Sequence, residues 1–284
     1  MRALLLAAGL GTRLKPLTNY LPKCLIPIHG RPLLDYWLQS LVRHGVNKIL
    51  INTHHFSSLV VDYVRNSSWA KNVEFVHEEQ LLGTGGTILA NRNFFHEQAF
   101  LVAHADNLTI FDPLFFFKQH GERPPGAVLT MMVFETPDPK SCGIVALDRR
   151  SIVTSFHEKL ATPPGNLANA AVYILEPSVL DFMASLNKTE IDFSTEVIPH
   201  FMGRIQAHRN ALYHRDIGTV ASWMEAHKDF QPMPATPLDA RAWSETMKLV
   251  DPDLLFYKQQ LLAQGRSKMH GLNEPTIQIK YKDN

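Results

Sequence analysis

Residues 1–32 read MRALLLAAGLGTRLKPLTNYLPKCLIPIHGRP, and this stretch decides the fold and the chemistry expected of the whole chain. The apolar run 2–8 leads directly into GLGTR, which predicts a buried strand that ends in a glycine-rich turn. Backbone N–H groups in such a turn form a concave site for an anion. The guanidinium of Arg13 and the ammonium of Lys23 add two positive charges, so the stretch predicts a loop that binds a polyphosphate.

The Gly-Leu-Gly motif has little specificity by itself. It lacks the third glycine of the dinucleotide-binding fingerprint, and no Gly-Lys-Ser/Thr of a Walker loop follows it. Taken alone, these residues are better explained by a tight strand-to-helix turn with a surface arginine. The missing third glycine and the missing ribose-binding acid also argue against a Rossmann dehydrogenase.

The composition fits a globular enzyme and excludes several other classes of protein. The chain has 284 residues, enough to bury a sizeable core, and its net charge of +1 gives no overall attraction to nucleic acid or to an anionic membrane. Cys24 and Cys142 form neither a disulfide framework nor a metal-ligand pattern. The apolar N-terminus is too short for a secretory signal. We therefore expect a cytoplasmic protein with no nucleic-acid partner and no membrane segment.

Strand and helix patterns alternate along the first part of the chain. Helical apolar spacing over 33–44 is followed by a strand over 48–53, a second helix over 59–65 and a strand over 73–77. This alternation predicts an α/β fold, a Rossmann-like three-layer α/β/α domain with a mostly parallel mixed sheet. Its ligand crevice should lie at the carboxyl ends of the strands.

The character of the sequence changes at residue 231. We assign 1–230 to a catalytic domain and 231–284 to a linker and a short C-terminal helical tail, since the proline-rich QPMPATP precedes a helical composition over 240–264. The final IQIKYKDN is strand-like or frayed. The tail is too apolar to remain in water, so it must pack on the catalytic domain or on a second subunit, which leaves a homodimer possible.

Two further stretches resemble parts of a ligand site. Residues 79–89, EQLLGTGGTIL, would let a flat base lie against the backbone, although a plain glycine-rich turn explains them equally well. Asp106 follows the apolar strand 100–103, where a carboxylate would point into the crevice. Capping of the next segment is a comparably good explanation of Asp106.

The string GLGTRLKPLT…LPKCLIPIHGRPLLDY strongly resembles the signature of the sugar-1-phosphate nucleotidyltransferases, with Ala8 in place of the usual first glycine. The resemblance covers roughly the first 230 residues. The LGTGG spelling is most similar to mannose and heptose 1-phosphate guanylyltransferases. The resemblance implies a reaction of a nucleoside triphosphate, GTP in preference, with a sugar 1-phosphate to give a nucleoside-diphosphate sugar and pyrophosphate.

The resemblance also implies roles for individual residues. Arg13 and Lys23 would be catalytic, and Asp106 and Asp216 would hold the cofactor, Mg2+. The nucleotide would be bound by Leu6, Ala8, Gly9, Gly11, Thr12, Gln80, Gly83, Thr84 and Gly85. The sugar phosphate would be bound by Asn107, Gly143, Glu158, Lys159 and Asn169.

Two further positions depart from the family pattern, and one segment is assigned no role in the site. Ala105 and Ala171 stand where glycine is common, and Ala171 is expected to narrow the sugar pocket. The segment 192–201, DFSTEVIPHF, is interpreted as mainly structural. Without the family context, the Glu158–Lys159 pair would be interpreted as part of an ordinary solvent-exposed face.

Two other functions stay open at this point. The first is a cytidylyl- or uridylyltransferase that acts on another phosphate; LGTGG and the Glu-Lys pair favour a sugar substrate over it. The second is a non-catalytic regulatory subunit that binds nucleotide sugar. Such a subunit should have lost Arg13, Lys23 or one of the two aspartates, and the chain retains all four residues.

Overall fold

The computed structural model describes residues 1–232 and 235–250, together with Leu254 and Gln259. The predicted strand-like terminus 277–284 and most of the predicted helical stretch beyond residue 250 lie outside the described residues.

Strands and helices alternate as the sequence predicts. The strands are β1 (Arg2–Leu6), β2 (Pro27–Ile28), β3 (Arg31–Pro32), β4 (Lys48–Thr53), β5 (Val73–His77), β6 (Phe100–His104), β7 (Asn107–Ile110), β8 (Leu129–Glu135), β9 (Gly143–Leu147), β10 (Val153–Glu158), β11 (Leu167–Leu175), β12 (Ile205–Arg209) and β13 (Tyr213–Asp216). The helices are α1 (Leu33–Arg43), α2 (Ser57–Asn66), α3 (Gly83–Ala90), α4 (Pro113–Gly121), α5 (Pro177–Ser185), α6 (Val220–Asp229) and α7 (Pro237–Lys248). Within the described part of the chain, no helix is long and apolar enough to cross a membrane.

The main sheet is mixed, and its parallel half carries the N-terminal stretch. The strand order is β10-β9-β11-β6-β1-β4-β5, with β8 beside β11 and β12 beside β8. Strands β6, β1, β4 and β5 run parallel, whereas β11 runs antiparallel to β6, β8 and β9. Loops that follow the parallel strands therefore meet at one edge, the edge at which the ligand crevice was expected.

Helices cover both faces of this sheet. In β1 the side chains of Ala3 and Leu5 enter one apolar core and that of Leu4 enters the other, because successive strand residues point to opposite faces. The first core includes side chains from α1, α2, α4, α6 and α7, and the second includes side chains from α3 and α5. The predicted three-layer α/β/α fold is confirmed.

A short ribbon outside the main sheet links two distant parts of the chain. Strands β7 and β13 pair antiparallel, with Asp216 opposite Asn107 and His214 opposite Thr109. Since β7 begins just after Asp106, this register brings the end of β13 to the tip of β6. The ribbon thereby joins the two acidic positions that the sequence could only place separately.

Helix α7 packs on α2 of the same chain. The carboxylate of Asp239 is buried, and its Oδ1 accepts hydrogen bonds of 2.8 Å from both the backbone N–H and the hydroxyl of Ser68. The Trp243 ring meets the Tyr63 ring edge-on, with 6.0 Å between their centroids. This part of the predicted tail thus packs within the chain, while the domain division at 230 and 231 stays a prediction.

Candidate active site

The glycine-rich turn after β1 is shaped to lie against Lys23. Gly11 has a positive φ of 62°, which glycine adopts without strain, and its carbonyl accepts a 2.9 Å hydrogen bond from the Thr18 hydroxyl. A Cβ at Gly11 would lie 2.8 Å from Thr18 Cγ2 and 3.3 Å from Lys23 Cβ. The turn therefore requires glycine here because two side chains occupy the space beneath it.

Lys23 joins the two predicted metal-binding carboxylates. Its Nζ lies 2.8 Å from Asp106 Oδ2 and 3.1 Å from Asp216 Oδ1, and only 8% of the residue is exposed. Burial by itself would lower the pKa of Lys23, but the two carboxylates outweigh it and raise that pKa. Burial would likewise raise the pKa of Asp106, but the Lys23 ammonium outweighs it and lowers that pKa. Both groups are therefore charged at neutral pH.

Asp106 and Asp216 suit a hard divalent cation that also binds phosphate. They approach one positive charge from different elements, the loop after β6 and the end of β13. The described residues contain no group of three or more His, Cys, Asp or Glu side chains that could hold a metal. Mg2+ often takes only one or two carboxylates and completes its shell with water and substrate phosphate, so this donor pair fits Mg2+. The Asp216 side chain is 45% exposed, which leaves the pair open to substrate.

Arg13 lies at the open side of the same cluster. Its Nη2 is 3.9 Å from Asp216 Oδ2, and the side chain is largely exposed. A Cβ at Gly218 would lie 2.6 Å from Asp216 Oδ2 and 3.1 Å from Arg13 Nη2. Gly218 thus leaves room for both charged groups, and Arg13 retains most of its donors for a ligand.

A cavity of about 220 Å³ lies between the ends of β1, β4, β5 and β6 and the start of α3. Five of the nine predicted nucleotide-binding residues line it: Leu6, Ala8, Gly9, Gly83 and Thr84. The other four, Gly11, Thr12, Gln80 and Gly85, do not belong to its lining. Asn52, Glu78, Leu81, Thr87 and His104 also line it and were not predicted.

The glycines of the LGTGG loop have a packing role that the sequence did not indicate. The N–H groups of Gly85 and Gly86 donate to the carbonyl of Ile191 at 2.8 and 3.2 Å. A Cβ at Gly85 would lie 2.7 Å from Ile191 Cγ2, and one at Gly86 would lie 2.3 Å from Thr189 O. The N–H of Gly85 is thus already used within the protein and its missing side chain faces Ile191, while the assignment of Gly85 to the nucleotide stays a prediction.

A second cleft, of about 390 Å³, adjoins this cavity. It is lined by every residue assigned from the sequence to the sugar phosphate, to catalysis or to the metal: Arg13, Lys23, Asp106, Asn107, Gly143, Glu158, Lys159, Asn169 and Asp216. The cleft and the cavity share Thr84, His104 and Asp106. The cavity and the cleft therefore meet at the carboxylate that pairs with Lys23.

Strand β10 ends at Glu158, and Lys159 follows it directly. Glu158 pairs with Gly143 of β9, and Lys159 Nζ lies 3.2 Å from Glu158 Oε1. A Cβ at Gly143 would lie 2.7 Å from Glu158 Oε2 and 2.5 Å from Phe156 Cζ. Gly143 therefore leaves the space that the Glu158 side chain occupies at the cleft wall.

An irregularity in β11 positions Asn169. Its side chain donates to the Tyr173 hydroxyl at 2.6 Å and accepts from the Ala171 N–H at 3.0 Å. The register shifts between Asn169 and Tyr173, and Ala171 has a positive φ of 54°. This left-handed conformation costs an alanine about 1–2 kcal/mol, which explains why glycine suits this position better.

Several residues of the cleft were missed by the sequence reasoning. Asp192, Ser194 and Thr195 line the cleft, although the segment 192–201 was interpreted as mainly structural. Asp192 also caps the following helical turn by accepting the Thr195 N–H at 2.8 Å, so the residue has a structural role as well. An acid followed by small polar residues was the available signal. His214 also lines the cleft and was not assigned to the site; burial, and to a lesser degree His104, lower its pKa to about 3.

Comparison with known proteins identifies the family of the chain. A family model described as nucleotidyl transferase matches residues 2–232. The chain belongs to the nucleotidyl transferase family.

Relatives within the family differ in the base they use. The chain is 29% identical to a mannose-1-phosphate guanylyltransferase of Mycobacterium tuberculosis, covering 80% of this chain and 64% of that protein. It is also 29% identical to a UTP--glucose-1-phosphate uridylyltransferase of Synechocystis, covering 70% of this chain and 54% of that protein. The chain thus spans between about half and two thirds of the length of these curated relatives.

A solved structure also resembles this one. HddC from Yersinia pseudotuberculosis, complexed with GMP-PN, superposes with a TM-score of 0.68 and 26% sequence identity. The superposition covers 81% of this chain and 99% of that one. The likeness therefore extends over nearly the whole of the compared structure.

Proposed function

We propose that this nucleotidyl transferase transfers a nucleotidyl group from a nucleoside triphosphate, GTP in preference, to a sugar 1-phosphate. The observation that carries the proposal is the meeting of the apolar cavity and the polar cleft at Asp106, beside Lys23 and Asp216. A base fits the first space and a sugar phosphate the second. The phosphates to be joined would then meet between them.

The proposed reaction needs charge neutralisation and alignment more than acid–base chemistry. An oxygen of the sugar phosphate attacks the α-phosphorus of the triphosphate, and the bond from that phosphorus to the oxygen bridging to the β-phosphate breaks. Pyrophosphate leaves, and the transfer itself requires no proton. Arg13 and Lys23 offset the negative charge of the triphosphate, while Lys159 holds the attacking phosphate.

Asp106 and Asp216 are the residues that would hold Mg2+. Bound there, the ion would supply a positive charge that offsets the negative charges of the two phosphates. Glu158 and Asn169 line the cleft proposed for the sugar. The Glu158 carboxylate would accept hydrogen bonds from sugar hydroxyls, and the Asn169 amide would donate to them or accept from them. The roles of the chain are thus to bind the two substrates, orient them and supply fixed charges.

The preference for guanine rests on the LGTGG loop and on two comparisons. A guanylyltransferase is among the relatives, and HddC was solved with GMP-PN. The uridylyltransferase relative supports a second candidate base at the same level of identity. The proposal therefore needs a direct test of all the common bases.

The proposed setting is the cytoplasm, with no nucleic-acid partner. Burial raises the pKa of the Cys24 thiol to about 12, so this thiol stays protonated and unreactive in the folded protein.

Self-association into a homodimer is part of the proposal. Light scattering on the full chain tests it, and a monomer mass would contradict it.

The experiment that tests the function is a screen for pyrophosphate release. GTP, ATP, UTP, CTP and dTTP are each combined with a panel of hexose and heptose 1-phosphates in the presence of Mg2+. We expect release with GTP and one or a few sugar phosphates. A clear preference for another base would contradict the guanine assignment, and no release in any combination would contradict the proposed reaction.

A further inference from the structure

Trp37 is a buried residue of α1 whose indole N–H donates to the backbone directly beside Asp106. Only 1% of the residue is exposed, and its ring packs against that of Phe111, with 5.9 Å between the centroids. Its Nε1 lies 2.9 Å from the carbonyl oxygen of Asn107. Trp37 belongs to the lining of neither the cavity nor the cleft. Any effect that it has on the site therefore passes through the backbone of Asn107.

The turn that carries Asp106 is held on both sides. The N–H of Ala105 donates to the carbonyl of Leu6 in β1 at 3.0 Å, and Trp37 holds the carbonyl that follows Asp106. The first bond ties the turn to the main sheet, and the second ties it to α1. The position of the Asp106 carboxylate relative to Lys23 thus depends on both hydrogen bonds.

The hydrogen bond from α1 also anchors the ribbon of β7 and β13. This ribbon forms a two-stranded sheet of its own, separate from the main sheet. Asn107 lies opposite Asp216 in its register, and the Thr109 hydroxyl lies 2.9 Å from His214 Nδ1. A two-stranded ribbon has little stability by itself, so the side chains that anchor it determine its position over the main sheet. A shift of Asn107 would therefore carry Asp216 with it.

A buried indole N–H needs an acceptor in any protein, so the bond by itself could serve packing alone. Trp69 provides the comparison. Its Nε1 donates to Asp35 at 2.6 Å, and neither of these two residues lines the cavity or the cleft. The acceptor of Trp37, by contrast, is a residue of the cleft wall that adjoins one acidic position in the sequence and faces the other across the ribbon.

We propose that Trp37 is a positioning residue of the proposed Mg2+ site, because its indole N–H fixes Asn107 and thereby the placement of Asp106 relative to Asp216. The inference rests on the proposed function, which assigns Mg2+ to these two carboxylates. Loss of a hydrogen bond that orients metal ligands typically weakens metal binding by about 10- to 100-fold. Helix α1 thus contributes to the site, although none of its residues lines the cavity or the cleft.

The test measures metal binding directly. Mn2+ replaces Mg2+ as the probe, because electron paramagnetic resonance counts the unbound ion, and it is titrated into the protein without nucleotide. Trp37→Phe removes the donor and should raise the dissociation constant by about 10- to 100-fold. Phenylalanine also leaves a cavity, so a second protein carries 3-benzothienylalanine at position 37, which has sulfur in place of the N–H and nearly the same shape. It should show the same weakening, even if Trp37→Phe does not fold.

The matched control is Trp69→Phe, the same substitution at a second buried indole donor, which is 6% exposed. It should destabilise the protein and leave the Mn2+ dissociation constant unchanged. In assays of pyrophosphate release, the Mg2+ concentration that gives half-maximal rate should rise for both proteins altered at position 37, and saturating Mg2+ should restore most of their turnover. A loss of stability alone would not move this concentration at a temperature at which the proteins are folded.

The outcomes separate this inference from the proposed function. If the 3-benzothienylalanine protein binds Mn2+ as tightly as wild type, the role of Trp37 is overturned and the proposed function stands. The same conclusion follows if Trp69→Phe weakens Mn2+ binding to the same extent. If Asp106→Asn does not weaken the binding of Mn2+, the metal site and the role of Trp37 are overturned together, whereas nucleotidyl transfer itself is judged by the screen for pyrophosphate release.

Discussion

Asp106 and Asp216, which are far apart in the sequence, contact the same ammonium group, that of Lys23, at 2.8 and 3.1 Å. Their meeting depends on the ribbon between β7 and β13, which sets Asp216 opposite Asn107. Lys23 itself comes from the N-terminal stretch, through a short helical turn at Lys23–Leu25. Three segments of the chain thus create one charged centre where the cavity and the cleft meet.

Lys23→Ala should reduce turnover by about 10²–10³-fold, the usual cost of removing one preorganised charged donor. The two carboxylates would then face each other without a cation, so we also expect Mg2+ to raise the melting temperature of the variant more than that of the wild type. Pyrophosphate release and thermal melts with and without Mg2+ measure these effects. Near-normal turnover in a folded variant would contradict the role of Lys23.

Asp106→Asn and Asp216→Asn should each reduce activity, and their effects should be strongly non-additive, because both residues are proposed to hold one ion. The measurement is a double-mutant cycle on kcat/KM at saturating Mg2+, with an EDTA-treated wild type beside it. Two losses that simply multiply, or activity that survives EDTA, would exclude a shared ion.

Ala171→Gly should stabilise the protein by about 1 kcal/mol, since it removes the cost of an alanine at positive φ. For a chain of this size the melting temperature should rise by about 2–4 °C. The control is Ala170→Gly at the neighbouring buried position, where loss of the side chain should destabilise. A lower melting temperature for Ala171→Gly would show that this conformation is not strained.

Trp243→Ala should destabilise the protein by about 3–5 kcal/mol, because the indole is buried against Tyr63 of α2. The kcat/KM of the remaining folded protein should not change, since Trp243 does not belong to the lining of either ligand space. Chemical denaturation and initial rates provide the two readouts. Leu249→Ala is the control, because Leu249 is 63% exposed and should have little effect.

If Trp243→Ala left the stability of the protein unchanged, the packing of α7 on α2 would be contradicted. If it reduced the activity of the folded fraction, the tail would have an effect on the active site that its position does not explain.

The central strands were predictable because burial on both faces makes them nearly continuous apolar runs. KILINT coincides with β4, whose last five residues are buried. The predicted strand 73–77 coincides with β5, which lies at the edge of the sheet and has no fully buried residue. Helix α1 ends at Arg43, one residue before the predicted end, and the predicted helix 59–65 lies within α2. Such local patterns can be recognised without knowing which residues distant in the sequence contact the segment.

The parts that could not be predicted depend on long-range contacts. Gly86 needs to be glycine because Thr189 lies against it, and nothing near Gly86 in the sequence indicates this contact. Glu78 appears in the sequence as one of two adjacent acids, and only the fold buries one and exposes the other. The family resemblance supplied Asp216, whereas the β7–β13 register explains why that residue reaches Lys23.

The most direct test of the central claim follows the α-phosphorus of GTP. GTP carrying radioactive phosphorus at the α-position is incubated with Mg2+ and the sugar 1-phosphate that gives most pyrophosphate, using wild type and Lys23→Ala. We predict that wild type moves the label into a nucleoside-diphosphate sugar only when the sugar phosphate is present, and that Lys23→Ala does so at least about 100-fold more slowly. Label that remains in GTP, or that appears as GMP whether or not sugar phosphate is present, would contradict nucleotidyl transfer at this site.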